Sequence, residues 1–176
     1  RFAQGGEGIE RLVQLVRHTG HGLVGHLQHQ CLLGRLALLA QQGRRVVIFE
    51  KSIHPRFHIG ESLLPSNVEL FEKLGVREQV ERIGMPKWGI EFVSPDHDHH
   101  SFLEFADAWD KSQPYAWHVR RSELDELLFR NAAAKGATTL ESCRVRDVTF
   151  DADGATVEVE GDAGRARWRT AFVVDA

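Results

Sequence analysis

Cysteine is scarce in this sequence, with two residues, Cys31 and Cys143, among 176. They lie too far apart for a closely spaced redox or metal-binding pair, and two cysteines do not make a disulfide framework. No segment approaches the roughly 18 consecutive apolar residues that a membrane span needs. The opening segment also lacks the pattern of a secretory signal. We therefore expect a cytoplasmic protein without a membrane span.

An excess of basic residues is also missing. The 22 lysines and arginines are balanced by 25 aspartates and glutamates, which leaves a formal net charge of -3. General nucleic-acid binding needs a concentrated surplus of Lys and Arg, so we expect no nucleic-acid partner. The length and the 42% apolar fraction fit one globular domain, or part of a larger one.

The first 40 residues contain no aspartate and no lysine, although they hold four of the ten histidines. From residue 41 onward, charges of both signs and clear helix caps recur along the chain. This change predicts an atypical N-terminal segment at residues 1–35 and a more regular domain at residues 36–176. One hypothesis is that residues 1–35 are read from a shifted frame or come from an unrelated fusion, which the nucleotide sequence of the locus would test.

Hydrophobic periodicity and turn residues predict alternating helices and strands, and hence an α/β fold. The predicted strands lie at residues 44–50, 88–93, 101–105, 145–151, 155–160, 165–171 and 172–176, the last of them buried. The predicted helices lie at about residues 32–40, 66–74 (opened by a Ser66–Glu69 capping box), 76–83 and 122–135. Asp153-Gly154 predicts a hairpin turn.

Two features point to a binding site. Glu50 ends a predicted strand, where a carboxylate can accept hydrogen bonds from an adenosine ribose, although a solvated carboxylate is the alternative. Residues 55–65 form an irregular stretch between two prolines, with Gly60-Glu61-Ser62 just before a helix. Backbone amides at such a helix start can hold an anion or the edge of an electron-rich ring.

Four motifs resemble FAD-dependent flavin halogenases and their relatives, the geranylgeranyl-reductase-like and aromatic-ring monooxygenase flavoproteins. In chain order they are Val46-Val47-Ile48-Phe49-Glu50-Lys51, Pro55-Arg56-Phe57-His58-Ile59-Gly60-Glu61-Ser62-Leu63-Leu64-Pro65, His118-Val119-Arg120-Arg121-Ser122-Glu123-Leu124-Asp125, and Phe172-Val173-Val174-Asp175-Ala176. The resemblance covers roughly residues 36–176. It implies a partial Rossmann-like FAD-binding domain with the start of an antiparallel substrate-domain sheet, in a chain shorter than the family.

The resemblance also implies roles for individual residues. Glu50 would bind the adenosine ribose, Lys51 would belong to the cofactor site, and Arg56 would lie by the flavin or its pyrophosphate. Gly60, Glu61 and Ser62 would form a strap beside the isoalloxazine. Arg121 would face the cofactor, Val145 would pass near the adenine, and Asp175 would belong to the cofactor site.

Lys87 matches the lysine that halogenases place between flavin and substrate, where its amine would relay oxidised halogen. A lysine with a lowered pKa suits that task. The alternative is a surface lysine that extends its amine to solvent at the start of a strand.

The sequence departs from the family at the phosphate-binding turn. Dinucleotide-binding folds need Gly-x-Gly-x-x-Gly about 20 residues before the ribose carboxylate. We expect those glycines near positions 28, 30 and 33, but the residues there are Gln28, Gln30 and Leu33. Residues 12–16 are also a poor candidate for the first strand. Both departures predict weak FAD binding.

Metal binding is an alternative for two histidine-containing clusters, at residues 26–31 and 97–100. Their spacings fit no standard zinc pattern, so we expect no metal.

The sequence predicts an FAD-dependent oxidoreductase of the halogenase or monooxygenase type, with weak or no activity in this chain. Its partners would be a small organic substrate and a flavin reductase or reduced nicotinamide as electron source. The alternative is a non-catalytic remnant, or a small α/β binding module without cofactor.

Overall fold

The computed structural model describes residues 11–15, 23–108 and 111–175. Their helices are α1 Leu23–Gln41, α2 Ser66–Leu74, α3 Arg77–Ile83 and α4 Arg121–Ala134. Their strands are β1 Arg11–Leu15, β2 Arg45–Phe49, β3 Gly84–Lys87, β4 Gly89–Ser94, β5 His99–Glu104, β6 Ala116–Val119, β7 Thr138–Leu140, β8 Arg144–Asp151, β9 Gly154–Gly161, β10 Gly164–Thr170 and β11 Phe172–Asp175. This helix and strand content confirms the α/β fold class.

A four-stranded parallel sheet forms the centre of the fold, in the order β11-β1-β2-β7. β1 pairs with both β2 and β11 over its whole length. The expectation of a poor first strand is therefore wrong: Arg11–Leu15 completes the sheet in spite of its two polar residues. Parallel strands align their carboxyl ends, so the ends of β1, β2 and β11 meet at one edge.

The two faces of β2 belong to different cores, because side chains alternate along a strand. Val46 and Ile48 pack with α1, α2, α3 and α4 in a large helical core. Val47 and Phe49 pack instead with Val157 and other residues of a smaller core on the opposite face. The parallel sheet thus lies between a helical layer and a second sheet.

That second sheet is three-stranded and antiparallel, in the order β10-β9-β8. Asp151 pairs with Gly154 around the predicted hairpin turn, which is confirmed. Two further pairs, β3 with β6 and β4 with β5, form separate two-stranded antiparallel sheets.

Helix α1 packs closely against α2. A Cβ added to Gly34 would lie 2.9 Å from a methyl carbon of Leu70, so the absence of a side chain allows this approach. α2 ends at Gly75, which adopts a left-handed conformation with φ 71°. The predicted capping box at Ser66 is wrong, because Ser66 is already helical and Pro65 occupies the cap without a side-chain hydrogen bond.

The last strand differs from its prediction in burial. β11 is the outermost strand of the parallel sheet in the described residues, and Phe172 is 68% exposed. A strand at the edge of a sheet has neighbours on one side only, so its side chains are covered less fully than those of an inner strand, and the sequence pattern overestimated the burial of β11.

Helix α1 runs without a break across the boundary predicted at residue 35. The division between residues 1–35 and 36–176 stays a prediction, and residues 1–10 and 16–22 lie outside the described part of the chain. None of the described helices combines the length and apolar character required to cross a bilayer.

Candidate functional site

Glu50 lies at the carboxyl edge of the parallel sheet, directly after β2. Its backbone N–H donates to the Leu140 carbonyl at 2.8 Å, and its carbonyl accepts from the Cys143 N–H at 2.9 Å. These bonds tie the residue to the end of β7 and to the loop before β8. The position of Glu50 is therefore set by three strands of two different sheets.

The Glu50 side chain is 2% exposed and is paired with Arg56. One carboxylate oxygen accepts from the Ser52 N–H at 2.8 Å, and the other accepts from Arg56 Nη2 at 3.1 Å. The structure thus brings together two residues that the sequence predicted for the cofactor. The buried Arg56 Nε has no hydrogen-bond partner within the described residues.

His54 fixes the loop between Ser52 and Arg56. Its backbone N–H and its Nδ1 both contact Glu141 Oε1 at 2.8 Å. Its ring packs against Phe129 with centroids 4.7 Å apart. The loop is thereby attached both to α4 and to the connection between β7 and β8.

The strap, defined here as residues 57–64, lies beside β6. The Leu63 N–H donates to the Trp117 carbonyl at 2.9 Å, and the Val119 N–H donates to the Glu61 carbonyl at 2.8 Å. Ser62 and His118 form an antiparallel bridge between these bonds. The predicted Gly60-Glu61-Ser62 segment is therefore extended chain held on the edge of the β3–β6 pair.

Lys87, the predicted catalytic residue, contacts this strap directly. Its Nζ donates to Ser62 Oγ at 2.5 Å and to the Leu63 carbonyl at 3.2 Å. The amine also lies 5.1 Å from the centre of the Phe105 ring. Partial burial lowers the pKa of Lys87 because removal from water disfavours the charged amine.

Arg121 is the first residue of α4, and its side chain is fully buried beneath the strap. It forms an ion pair with Asp125 at 3.0 Å and donates to the carbonyls of Ile59 and Gly60. Any effect of Arg121 on a bound cofactor would therefore pass through the strap.

Three other predicted residues lie around this centre. Lys51 is half-buried directly after Glu50. Val145 is half-buried in β8, where it pairs with Val159 and packs on the smaller core. Asp175 is exposed at the end of β11, in register with Leu15 of β1. These residues share the carboxyl edge of the parallel sheet or lie in the neighbouring antiparallel sheet.

The outer side of this region is apolar. Phe57 is 85% exposed and Ile59 62% exposed on the strap, and Ile53 before it is 64% exposed. Large exposed apolar side chains next to buried polar groups are typical of a surface that receives a ligand or another part of a protein.

In the described part of the chain, no group of three or more His, Cys, Asp or Glu residues is placed to hold a metal ion. His100 contacts Glu91 at 2.9 Å on the β4–β5 pair. The side chains of residues 26–31 lie outside the described part, so the first predicted cluster is not placed.

The sequence interpretation missed a glycine pattern. Gly20-His21-Gly22-Leu23-Val24-Gly25 has the Gly-x-Gly-x-x-Gly spacing and overlaps the start of α1 at Leu23. The pattern begins five residues after β1 ends and lies 25 residues before Glu50, which is further than the usual spacing of about 20. The glycines therefore lie further from the carboxylate than the expected positions 28, 30 and 33.

Known proteins share this arrangement. The myxobacterial chondrochloren halogenase, described as a new variant of FAD-dependent halogenases, superposes with a TM-score of 0.77 at 28% identity. The superposition covers 97% of this chain and 37% of that one. The similarity therefore extends over the sheet, the strap and the antiparallel sheet.

Two halogenases are similar to this chain in sequence. A flavin-dependent halogenase of Penicillium aethiopicum is 38% identical over 115 residues, and a tryptophan 2-halogenase of Chondromyces crocatus is 37% identical over 124 residues. The matches cover 65% and 66% of this chain. The chain spans only 21% and 22% of the lengths of these enzymes.

The family model described as "FAD binding domain" matches residues 32–176, which is most of the chain. These comparisons confirm the resemblance to flavin-dependent halogenases that the motifs indicated. The chain therefore belongs to the FAD-binding domain family.

Proposed function

We propose that this chain supplies the adenosine and flavin-edge part of the FAD site in an oxidoreductase of the halogenase or monooxygenase type. The observation that supports this most is the Glu50–Arg56 pair at the carboxyl edge of the parallel sheet. Ligands of open α/β sheets bind outside the carboxyl ends of their strands.

The residues present fit FAD in their donor and acceptor chemistry. Glu50 accepts one described hydrogen bond at each oxygen, and a carboxylate has about four acceptor positions, so ribose hydroxyls can add to them. The unpartnered Arg56 Nε is a donor suited to a phosphate or a flavin oxygen. When bound, FAD supplies the redox chemistry with dioxygen, and the protein binds and orients it.

Other predicted residues complete the proposed site. Gly60, Glu61 and Ser62 would lie beside the isoalloxazine, and Val145 near the adenine. Lys51 and Asp175 would border the ribose and the sheet edge. The glycine pattern at residues 20–25 would bring backbone N–H groups to the pyrophosphate, which favours stronger FAD binding than the sequence interpretation predicted.

Lys87 favours halogenation over simple hydroxylation. Its amine is held by the strap rather than by solvent, and its pKa is lowered. A larger neutral fraction makes the amine a better acceptor of oxidised halogen for transfer to a small organic substrate. Electrons would come from a flavin reductase or reduced nicotinamide, and a cytoplasmic location stays a prediction.

A flavin titration tests the cofactor proposal. Fluorescence quenching should show saturable FAD binding by the 176-residue chain, and Glu50→Ala should weaken it about tenfold or more because the ribose loses a charged acceptor. Glu158→Ala, which removes an exposed carboxylate of β9, is the matched control. If the unsubstituted chain does not bind FAD, the binding module without cofactor becomes the better interpretation.

Chemical labelling tests the proposed state of Lys87. The extent of acylation of each lysine is measured against pH by mass spectrometry. Lys87 should reach half-maximal reactivity at a lower pH than Lys73, an exposed lysine paired with Glu69. Identical pH profiles for the two lysines would contradict the proposed neutral fraction.

A further inference from the structure

A buried polar cluster lies between the strap and helix α4. Its members are His58 on the strap and Arg121 and Asp125 on the helix. The side chains of Arg121 and Asp125 are both 0% exposed, and that of His58 is 8% exposed. Buried charges are costly unless they are paired and hydrogen-bonded, so the fold retains this cluster against a desolvation penalty.

Each of the three nitrogens of the Arg121 guanidinium donates a hydrogen bond. Nε donates to Asp125 Oδ1 at 3.1 Å, and Nη2 donates to Asp125 Oδ2 at 3.3 Å. Nη1 donates to the carbonyls of Ile59 and Gly60 at 3.1 and 3.2 Å. Asp125 Oδ2 also accepts from His58 Nδ1 at 2.9 Å, so this ring nitrogen is a donor, and its 3.2 Å approach to Nη2 is a contact rather than a hydrogen bond from Arg121. Asp125 thus accepts from both partners in the cluster.

The two hydrogen bonds from Arg121 to strap carbonyls fix which side of the strap points toward helix α4. Consecutive carbonyls of Ile59 and Gly60 both point inward to Arg121. Gly60 has φ 100°, a left-handed value that residues with a side chain rarely adopt. The Ile59 side chain is consequently left on the outer surface, 62% exposed.

We propose that Arg121 and Asp125, together with His58, are positioning residues that hold residues 59–62 of the strap in place for the flavin. This rests on the proposed function, because only that function places the ring against the strap. Asp125 orients the guanidinium through two bonds, and the guanidinium in turn holds the strap carbonyls. None of the three needs to contact the cofactor.

Lysine cannot replace Arg121 in this role. An ammonium group has three donors on one atom, whereas the guanidinium fork reaches a carboxylate and two carbonyls in one plane. Arg120, the preceding residue, provides a matched comparison: it is 74% exposed and pairs only with Glu123 in the described contacts. Comparing Arg121→Lys with Arg120→Lys therefore distinguishes the loss of the buried contacts from any general effect of replacing arginine by lysine.

Amide hydrogen exchange tests the proposal without any cofactor. The Leu63 and Val119 amides report on the pairing of the strap with β6, and the amides of β9 report on global unfolding. Arg121→Lys should accelerate exchange at Leu63 and Val119 by at least about tenfold and leave β9 unchanged, as local opening predicts. Arg120→Lys should change neither. Equal exchange in Arg121→Lys and the unsubstituted chain, or equal acceleration in Arg120→Lys, would overturn the proposal.

A second pair of variants applies if Arg121→Lys does not fold. His58→Asn keeps an N–H donor near the position of Nδ1, whereas His58→Leu keeps bulk and removes the donor to Asp125. The Asn variant should retain strap protection within about threefold, and the Leu variant should lose at least about tenfold. The reverse order would indicate that His58 only fills space, and would overturn its part in the cluster.

The spectrum of bound FAD separates this inference from the proposed function. Arg121→Lys should shift the visible absorption of bound flavin relative to the unsubstituted chain and to Arg120→Lys. Failure of the unsubstituted chain to bind FAD would reject the proposed function, while the exchange results would still decide whether the cluster holds the strap. Faster exchange with an unchanged flavin spectrum would reject the role toward the flavin.

Discussion

Arginine–carboxylate pairs occur in two contrasting regions of this molecule. Beneath the strap, Arg121 and Asp125 form a pair with no exposed surface on either side chain. On the outer face of the β8–β10 sheet, four exposed pairs cross between strands. They are Arg146–Glu160, Arg165–Glu160, Arg167–Glu158 and Arg169–Asp151, with side chains between 35% and 79% exposed.

The contrast shows that identical chemistry has different consequences in different surroundings. Water solvates the two charges of an exposed pair almost as well when the pair is broken, so each such pair contributes little to stability. A buried pair does not increase stability over an apolar core, but breaking it leaves an uncompensated charge. The buried pair therefore enforces one geometry, and it lies where the proposed cofactor site needs a defined strap.

The largest expected effect comes from breaking the buried pair. Asp125→Ala should lower the free energy of unfolding by about 3–5 kcal/mol, because Arg121 is left buried without its counter-charge. Urea unfolding followed by circular dichroism measures this loss. The double variant Arg121→Met with Asp125→Leu should recover part of it. A double variant less stable than Asp125→Ala would show that the charge left behind is not the source of the loss.

An intermediate effect is expected where the pair is partly buried. Glu141→Ala should cost about 1–3 kcal/mol, since it removes the acceptor of the buried His54 N–H and ring nitrogen. Glu141→Gln, which keeps an acceptor, should cost less in the same urea experiment. Equal losses would show that the charge, rather than the acceptor, matters here.

The same carboxylate predicts a pH dependence. Burial raises the pKa of Glu141, but hydrogen bonds from His54 and the charge of Arg130 outweigh it and lower the pKa below the usual range. A lowered folded-state pKa means that the stabilisation is present above the unfolded-state value and is lost as pH falls through the folded-state value. Stability measured from pH 7 downward should therefore fall less steeply in Glu141→Gln.

The smallest effect is expected at the exposed pair. Hydrogen bonds from Arg169 lower the pKa of Asp151 to about 2. Its stabilising contribution is present above the ordinary carboxyl pKa and is lost as pH falls towards that low value. Arg169→Gln should raise the pKa of Asp151 part of the way to the usual range in an NMR titration, because backbone hydrogen bonds from Asp153 and Gly154 still lower it. Added salt should reduce the shift in the unsubstituted chain, and a salt-independent value would contradict the exposed character of the pair.

Much of the fold could be predicted from local patterns, and the exceptions have physical reasons. The Asp153-Gly154 turn and the helix stop at Gly75 depend on backbone conformation that few residues adopt, so the sequence indicates them directly. β3 contains Gly84 and Pro86, which disfavour strands. Its pairing with β6 stabilises the extended conformation that these residues do not favour by themselves. β1 likewise forms because two neighbouring strands pair with it.

The sequence indicated which residues belong to the candidate site, but not which of them contact one another. Glu50, Arg56, Ser62 and Lys87 came from motifs, whereas their mutual pairing depends on loops that only the folded chain brings together. Asp125 was missed because Arg121 and Asp125, four apart on a helix, have the spacing of an ordinary surface ion pair. Burial distinguishes the two cases, and burial by the strap is a property of tertiary structure.

The double-sided packing of β2 limits how this chain can change. Inserting or deleting one residue within 45–49 would exchange the side chains that face the helices with those that face β9, since alternation along a strand has a period of two. The same change of register would move the Glu50 carboxylate away from Arg56. We expect variation among natural versions of this strand to consist of apolar replacements of similar volume, with its length unchanged.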